Sequence, residues 1–275
     1  MLDFKIDEDL CIGCGQCASD CPATIIAMDG GLPIIPEDME QYCIHCLHCF
    51  AICSEGALSL LGATVQDVLE LRKNLPDPEK MEVLIKGRRS FRNYQDENMD
   101  PAEIEKLLEV AWHGPSGHND RRLLFSLVDD KDVLDSIRKE AFSGLEKLIN
   151  EDRLPEGMEM FSDIMEAWKQ NGVDILFRGA PHLLVVSAHK ESAAPLHDAI
   201  ISLTTFELYA QSRGVGTIWN GLAMLTITEL VPALRRRLQI PDDYQIGYVM
   251  GFGMPAVRYD RTVNRGKPNY VRIEK

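Results

Sequence analysis

Beyond residue 53 this sequence contains no cysteine: all eight lie between Cys11 and Cys53, and the rest of the chain has none. Such crowding excludes scattered structural disulfides and assigns the thiols to one local structure. Positive charge is nearly as scarce at this end. Residues 1–62 hold ten Asp or Glu and a single basic residue, Lys5, for a net charge near −9 out of −14 for the whole chain. Nucleic acid needs a basic footprint and is excluded as a partner. The acidic segment either keeps a small domain soluble or docks a basic partner. No apolar run approaches the roughly 18 residues of a membrane span. The start, MLDFKIDEDL, is acidic where a signal peptide is basic. These absences lead us to expect a cytoplasmic protein with no membrane partner. With 275 residues, 45% hydrophobic and 26% charged, the chain can pack one large domain or two unequal ones.

Cys11, Cys14, Cys17 and Cys21 form C-x2-C-x2-C-x3-C followed by Pro22, and Cys43, Cys46, Cys49 and Cys53 repeat the same spacing. The repeat is an internal duplication. Three cysteines at intervals of three place thiolates on one tight loop around a corner of a cube, and a fourth from another segment can close the cage. Gly13 and Gly15 suit that loop, where the backbone passes close to sulfide. Structural zinc pairs C-x2-C knuckles across a longer gap, so a third cysteine within three residues is surplus to a tetrahedral site. A disulfide framework belongs to secreted chains without a large core.

The duplicated run resembles that of bacterial two-cluster ferredoxins, and the resemblance implies crossed ligation. Cys11, Cys14, Cys17 and Cys53 would hold one 4Fe-4S cluster, and Cys21, Cys43, Cys46 and Cys49 the second. Ser54 stands where the ferredoxin run has a proline, which loosens that turn. His45 and His48 lie among the second set of ligands, where they are either solvated loop residues or tune a potential.

Residues 1–62 are thus the expected ferredoxin-like domain. A polar stretch ending in LRKNLPDPEK, punctuated by Pro76 and Pro78, makes 63–80 the expected linker and 81–275 a second domain. There MEVLIKG reads as a short helix stopped by Gly87, and Asp100, Pro101 and Glu103 start a helix running to about His113. LLFSLVDD and HLLVVSA read as buried strands, and LHDAIISLTTFELYAQSRG as a helix ended by Gly214. A last helix spans about Thr228 to Leu238, before a strand at YQIGYVMGFG. Helices and strands interleave without βαβ periodicity, which predicts an α+β layered sheet.

Four segments of the second domain carry chemistry. GRRSFRNYQDENM presents Arg88, Arg89, Ser90 and Arg92, suited to a phosphate because guanidinium offers paired planar donors; alone, it reads equally as a solvated helix end. GPSGHNDRR contains Pro115, Ser116, Gly117 and Asn119. GVGTIWNGLAML contains Trp219, Asn220 and Gly221, and alone reads as a helix cap and buried strand. RYDRTVNRGKP contains Arg261 and Arg265. In this order the four segments resemble the nitroreductase family of FMN flavoproteins. That resemblance implies a three-layer mixed sheet with flanking helices. It also implies FMN bound by these residues: the arginines at its phosphate, Asn119 facing the ring, and backbone near Gly221 approaching flavin N5. A homodimer is implied as well. The family loop continues with a small residue, Gln and Pro, whereas here Asp120, Arg121 and Arg122 follow. GFGMPA, residues 251–256, has glycine spacing that suits a dinucleotide turn, but Pro255 falls where the helix should run.

The expected activity is that of an enzyme in which a one-electron protein donor such as ferredoxin reduces two 4Fe-4S clusters, which feed FMN. The acceptor would be a small nitro compound, quinone or activated double bond. The alternative is a non-catalytic relay between protein partners, distinguished by the absence of turnover with small acceptors.

Overall fold

The computed structural model describes residues 2–274, which divide into two units: Met1–Pro76 with His118–Asp120, and Asp77–Gly117 with Arg121–Lys275. Among the described residues, no helix is long and apolar enough to cross a membrane.

The first unit contains β1 (Lys5–Ile6), α1 (Gln16–Ser19), β2 (Ala27–Asp29), β3 (Leu32–Ile34), α2 (His48–Ala51), β4 (Leu58–Ser59) and α3 (Leu71–Asn74). β1 pairs antiparallel with β4, and β2 with β3. The sequence duplication is reproduced in the backbone, since α2 follows α1 at the offset that separates Cys43 from Cys11. Gly13 and Gly15 take left-handed φ values of 65° and 69°, and the same places in the second run are filled by His45 and Leu47 at 55° and 58°. Holding a side chain there costs roughly 1–2 kcal/mol per residue. Glycine is required at 13, where a Cβ would stand 2.8 Å from Gly31 O. Leu2, Ile25, Ile26, Phe50, Leu58 and Leu60 close a small core around Cys49. Residues 63–76, which the sequence assigns to a linker, group with this unit and form a turn capped by Thr64 and Asp67, then α3.

The second unit contains α4 (Pro78–Gly87), α5 (Pro101–Trp112), β5 (Leu123–Val128), α6 (Lys131–Asn150), α7 (Met160–Asn171) and β6 (His182–His189). It continues with α8 (Pro195–Ser212), β7 (Gly216–Trp219), α9 (Gly221–Leu225), α10 (Ala233–Arg237) and β8 (Tyr244–Gly253). The sheet order is β5-β6-β8-β7, antiparallel throughout. The parallel contact expected of a mixed sheet is confined to the bridge between Ser90 and Thr217. Leu183, Val185 and Val249 face α6, α7 and α10, while Leu184, Val186, Met250 and Phe252 face α5 and α8. Three layers result. Because β6 is covered on both faces, its sequence is a continuous apolar run. Each such side chain, fully buried, contributes about 1.5–3 kcal/mol.

Aspartate caps start the helices: Asp100 accepts from Ala102 N, and Asp130 from Asp132 N and Val133 N. α6 and α7, left unassigned by the sequence reading, are amphipathic helices whose many charges obscure the apolar spacing at Leu134, Ile137, Ala141 and Leu145. The single helix expected over Thr228–Leu238 is instead a π-type turn at Thr226–Leu230 followed by the short α10. Pro232 has no N–H to continue a helix, and Val231 N turns back to Thr226 O at 2.7 Å. His182, fully buried, accepts at Nε2 from Met99 N, and burial pushes its pKa down toward the neutral imidazole.

α8 is the helix against which the candidate site is built. Pro195 begins it and Gly214 ends it at φ 78°, with Gly214 N donating to Gln211 O and Val215 N to Ala210 O. These two bonds form a Schellman cap that delivers the chain directly into β7. β8 bulges where Ser187 faces Ile246 and Val186 faces Tyr248, leaving Gly247 unpaired. A Cβ on Gly247 would overlap the Ala199 methyl of α8. Gly247→Ala should therefore push α8 off the sheet and lower stability by about 1–3 kcal/mol, read from urea unfolding; an unchanged midpoint would show that the close approach is not needed.

Candidate functional site

In the first unit the thiols converge in two groups. One cavity is lined by Cys11, Cys14, Cys17 and Cys53, with about 420 Å³ of space free of protein atoms. The other is lined by Cys21, Cys43, Cys46 and Cys49, with about 350 Å³. Each cavity takes three cysteines from one run and the fourth from the other, the grouping that crossed ligation requires. Among the described residues, no group of three or more Cys, His, Asp or Glu is spaced for a single metal ion. Burial pushes the Cys49 thiol up to about 11 and raises that of Cys17, so iron ligation must release protons at neutral pH. Both cavities are otherwise lined largely by apolar groups, such as Ile25, Ile26, Ile35 and Leu60 in one and Ile6, Ile12 and Leu58 in the other. Soft sulfur donors in apolar walls fit an iron–sulfur cluster. The backbone N–H of Ala57 donates to Cys53 Sγ at 3.3 Å, a contact the sequence did not reveal. His48 Nδ1 lies 3.5 Å from Asp20 Oδ2.

His118–Asp120 group with this first unit. Asn119 Nδ2 donates to Ile44 O at 2.9 Å and His45 O at 3.0 Å, so both amide hydrogens serve the loop between Cys43 and Cys46. His118 and Asn119 are left-handed, at φ 54° and 55°.

In the second unit the first and last basic segments share a cleft. Arg88, Arg89, Lys86 and Arg265 line it together with Ile85 and Thr262–Gly266. Arg92 and Arg261 are absent from its wall: Arg92 Nη1 reaches Ser90 O at 3.4 Å, and Arg261 is exposed on the terminal arm. Lys86, which the sequence reading passed over, is present. Arg89 donates through Nη1 to Lys86 O at 3.1 Å and to Arg88 O, while its buried Nη2 has no partner. A buried donor without an acceptor costs about 1–3 kcal/mol, and an anion in the cleft would satisfy it. The residues fit a phosphate.

Arg88 Nη1 donates to Glu207 Oε1 at 3.0 Å, and Thr217 Oγ1 donates to the same oxygen at 3.4 Å. Glu207 is 3% exposed on α8. One turn further on, Gln211 Nε2 donates to Leu84 O at 2.9 Å, which fixes the end of α4. Ser90 bridges Thr217 and Phe91 N donates to Thr217 O at 2.9 Å, so the first and third segments are adjacent. Trp219 packs edge-on against Tyr248. Asn220 caps α9 through Oδ1, accepting from Ala223 N at 3.1 Å, while its buried Nδ2 has no partner. A Cβ at Gly221 would stand 3.1 Å from Tyr248 Oη.

The second segment is anchored to the other end of α8. Asp198, buried in its first turn, accepts from Gly117 N at 3.0 Å, and Ser202 Oγ donates to Ala111 O at 3.0 Å. Ser116 Oγ accepts from Arg121 N at 3.0 Å. Pro115 is exposed, and Arg121 is held by Trp112 O and stacks 4.9 Å over the Trp112 ring. Asp198 and Glu207 are about 14 Å apart along the helix, so α8 spaces the two segments at a fixed distance. Both are charged residues on the buried side of a helix, a pattern legible in the sequence once that face is known.

The fold and these residues define the class. Residues 85–254 match the profile of the Nitroreductase family and residues 10–58 that of the 4Fe-4S dicluster domain. The chain belongs to the Nitroreductase family and carries an amino-terminal 4Fe-4S dicluster domain. It is similar to a putative NADH dehydrogenase/NAD(P)H nitroreductase of Methanothermobacter thermautotrophicus, 27% identical over 202 residues that cover 71% of this chain and 88% of that protein. Its cysteine segment is similar to part of the H(2):CoB-CoM heterodisulfide,ferredoxin reductase of the same organism, 35% identical over 68 residues, or 19% of this chain and 10% of that protein. The fold is similar to that of a Desulfitobacterium hafniense nitroreductase with bound FMN, at a TM-score of 0.56 and 23% identity, covering 72% of this chain and all of that one.

Cys53→Ala tests the grouping of the thiols. It should abolish the cluster built on Cys11, Cys14 and Cys17 and leave the other, as read by iron content and electron paramagnetic resonance; loss confined to the cluster of Cys43, Cys46 and Cys49 would contradict crossed ligation.

Proposed function

We propose that the chain is an FMN-dependent oxidoreductase that draws single electrons from a protein donor such as ferredoxin through two 4Fe-4S clusters and reduces a small electrophilic acceptor. A nitro compound, quinone or activated double bond fits that description. The observation that carries this reading is the presence, in one chain, of two four-cysteine cavities and a nitroreductase fold with an arginine-lined cleft. When bound, the clusters carry electrons one at a time and FMN exchanges them singly or in pairs.

The chain's own groups supply binding and orientation. Arg88, Arg89 and Arg265 hold the FMN phosphate, with Ser90 beside them and Lys86 adding charge. Glu207 fixes one edge of the Arg88 guanidinium and leaves its remaining donors for the cleft. The unpartnered Nδ2 of Asn220 and the backbone at Gly221 are donors for the flavin ring. Asp198 holds the Gly117 backbone, and with it the Pro115–Ser116 loop. The ferredoxin-reductase relative of the cysteine segment supports a ferredoxin-type donor, and the nitroreductase relatives support a nitro acceptor. We also propose a cytoplasmic homodimer, on family resemblance.

The names of the full-length relatives favour a second donor, NAD(P)H. Anaerobic mixing of the holoprotein with reduced ferredoxin and, separately, with NADH or NADPH decides between them. Ferredoxin should bleach the flavin band within turnover time while the nicotinamides leave it intact; the reverse result would remove the clusters from the input route.

A further inference from the structure

The two runs superimpose bond for bond along the backbone. Ser19 N donates to Gly15 O as Ala51 N does to Leu47 O, Cys21 N to Ala18 O as Cys53 N to Phe50 O, and Thr24 N to Cys21 O as Gly56 N to Cys53 O. Each pair keeps the interval that separates Cys11 from Cys43. Against this symmetry the sulfur environments differ. Cys53 Sγ accepts from Ala57 N at 3.3 Å. Its counterpart by the repeat, Ile25 N toward Cys21 Sγ, makes no such bond among the described residues. The equivalent turns also differ in chemistry, since Pro22 follows Cys21 whereas Ser54, free to adjust, follows Cys53.

Exposure breaks the symmetry in the same direction. Cys14 is exposed where its counterpart Cys46 is only partly so, and Cys17 is partly buried where its counterpart Cys49 is buried. Reduction adds one negative charge to a cluster. An N–H directed at a ligand sulfur stabilises that charge, and so does solvent, whereas burial in an apolar wall opposes it. One feature acts the other way: the Glu55 carboxylate lines the cavity of Cys11, Cys14, Cys17 and Cys53. It is exposed and held by Ser54 Oγ, so solvent and salt screen it, while the N–H contact acts on the ligand itself.

We propose that the two clusters are inequivalent, and that the one on Cys11, Cys14, Cys17 and Cys53 has the higher reduction potential and takes the first electron. This rests on the reading of the chain as a two-cluster protein. In the step, a reduced one-electron donor is oxidised and this cluster is reduced by one electron, with no bond made or broken; the second electron enters the cluster on Cys21, Cys43, Cys46 and Cys49.

The test is an anaerobic redox titration of the full-length holoprotein, followed by electron paramagnetic resonance, after iron and sulfide analysis has established that both clusters are loaded. A preparation lacking that iron and sulfide would refute the two-cluster reading itself, separately from the order of reduction. In loaded protein two one-electron steps are expected. Cys14→Ser should alter the signal of the species reduced first and Cys46→Ser that of the species reduced second. Ala57→Pro, which removes the N–H, should shift the higher midpoint downward and leave the lower one in place. A single shared step, a reversed assignment in the two serine variants, or unmoved midpoints in Ala57→Pro would overturn the proposal. If Ala57→Pro fails to assemble, the two serine variants decide the order alone.

Discussion

The first unit depends on how its eight thiols are divided. Its hydrophobic core is small, closed by a handful of side chains around Cys49, and a unit of this size has little apolar surface with which to offset chain entropy. In our account two cluster cages take over that role, tying residues 11–17 to Cys53 and Cys21 to residues 43–49. Every cage then spans both halves of the duplication, so neither half can open without breaking a cluster. The left-handed backbone at His45 and Leu47 is the conformational cost of folding the second loop like the first.

The second unit has a different organiser. α8 presents Ala199, Leu203, Phe206 and Ala210 to the sheet, while Asp198 and Glu207 reach the two segments that carry candidate binding groups. A buried carboxylate is expensive unless paired, and each of these is paired with a group whose position matters: the Gly117 backbone and the Arg88 guanidinium. The Gly247 bulge lets α8 seat closely, and the Gly214 cap turns its end into β7, which places Trp219 and Asn220. Packing, capping and ion pairing thus fix one arrangement, with an unpartnered Arg89 donor left at the cleft.

Much of this was legible in the chain. Cysteine spacing is a local constraint, so the two cavities follow from the runs and from the crossing that the ferredoxin resemblance implies. The helix from Pro101, the long α8 and strands β6 and β8 were legible because caps and continuous apolar runs coincide with their ends. α6 and α7 were hidden by dense charge, and the break at Pro232 was underweighted. Arg88, Arg89 and Arg265 meet at the cleft, whereas Arg92 and Arg261 do not, a distinction set by chain direction after the helix end rather than by residue type. Lys86, Asp198 and Glu207 escaped notice because their significance comes from what they face across the fold. The N–H of Ala57 has no side-chain signature at all.

The central claim is that one chain combines two iron–sulfur cages with a flavin-type oxidoreductase fold. Iron and acid-labile sulfide, counted per chain in anaerobically purified protein, test it most directly. The account predicts about eight of each, four per cage. Stoichiometric zinc without sulfide, or four iron with half of the thiols free to alkylate, would contradict it.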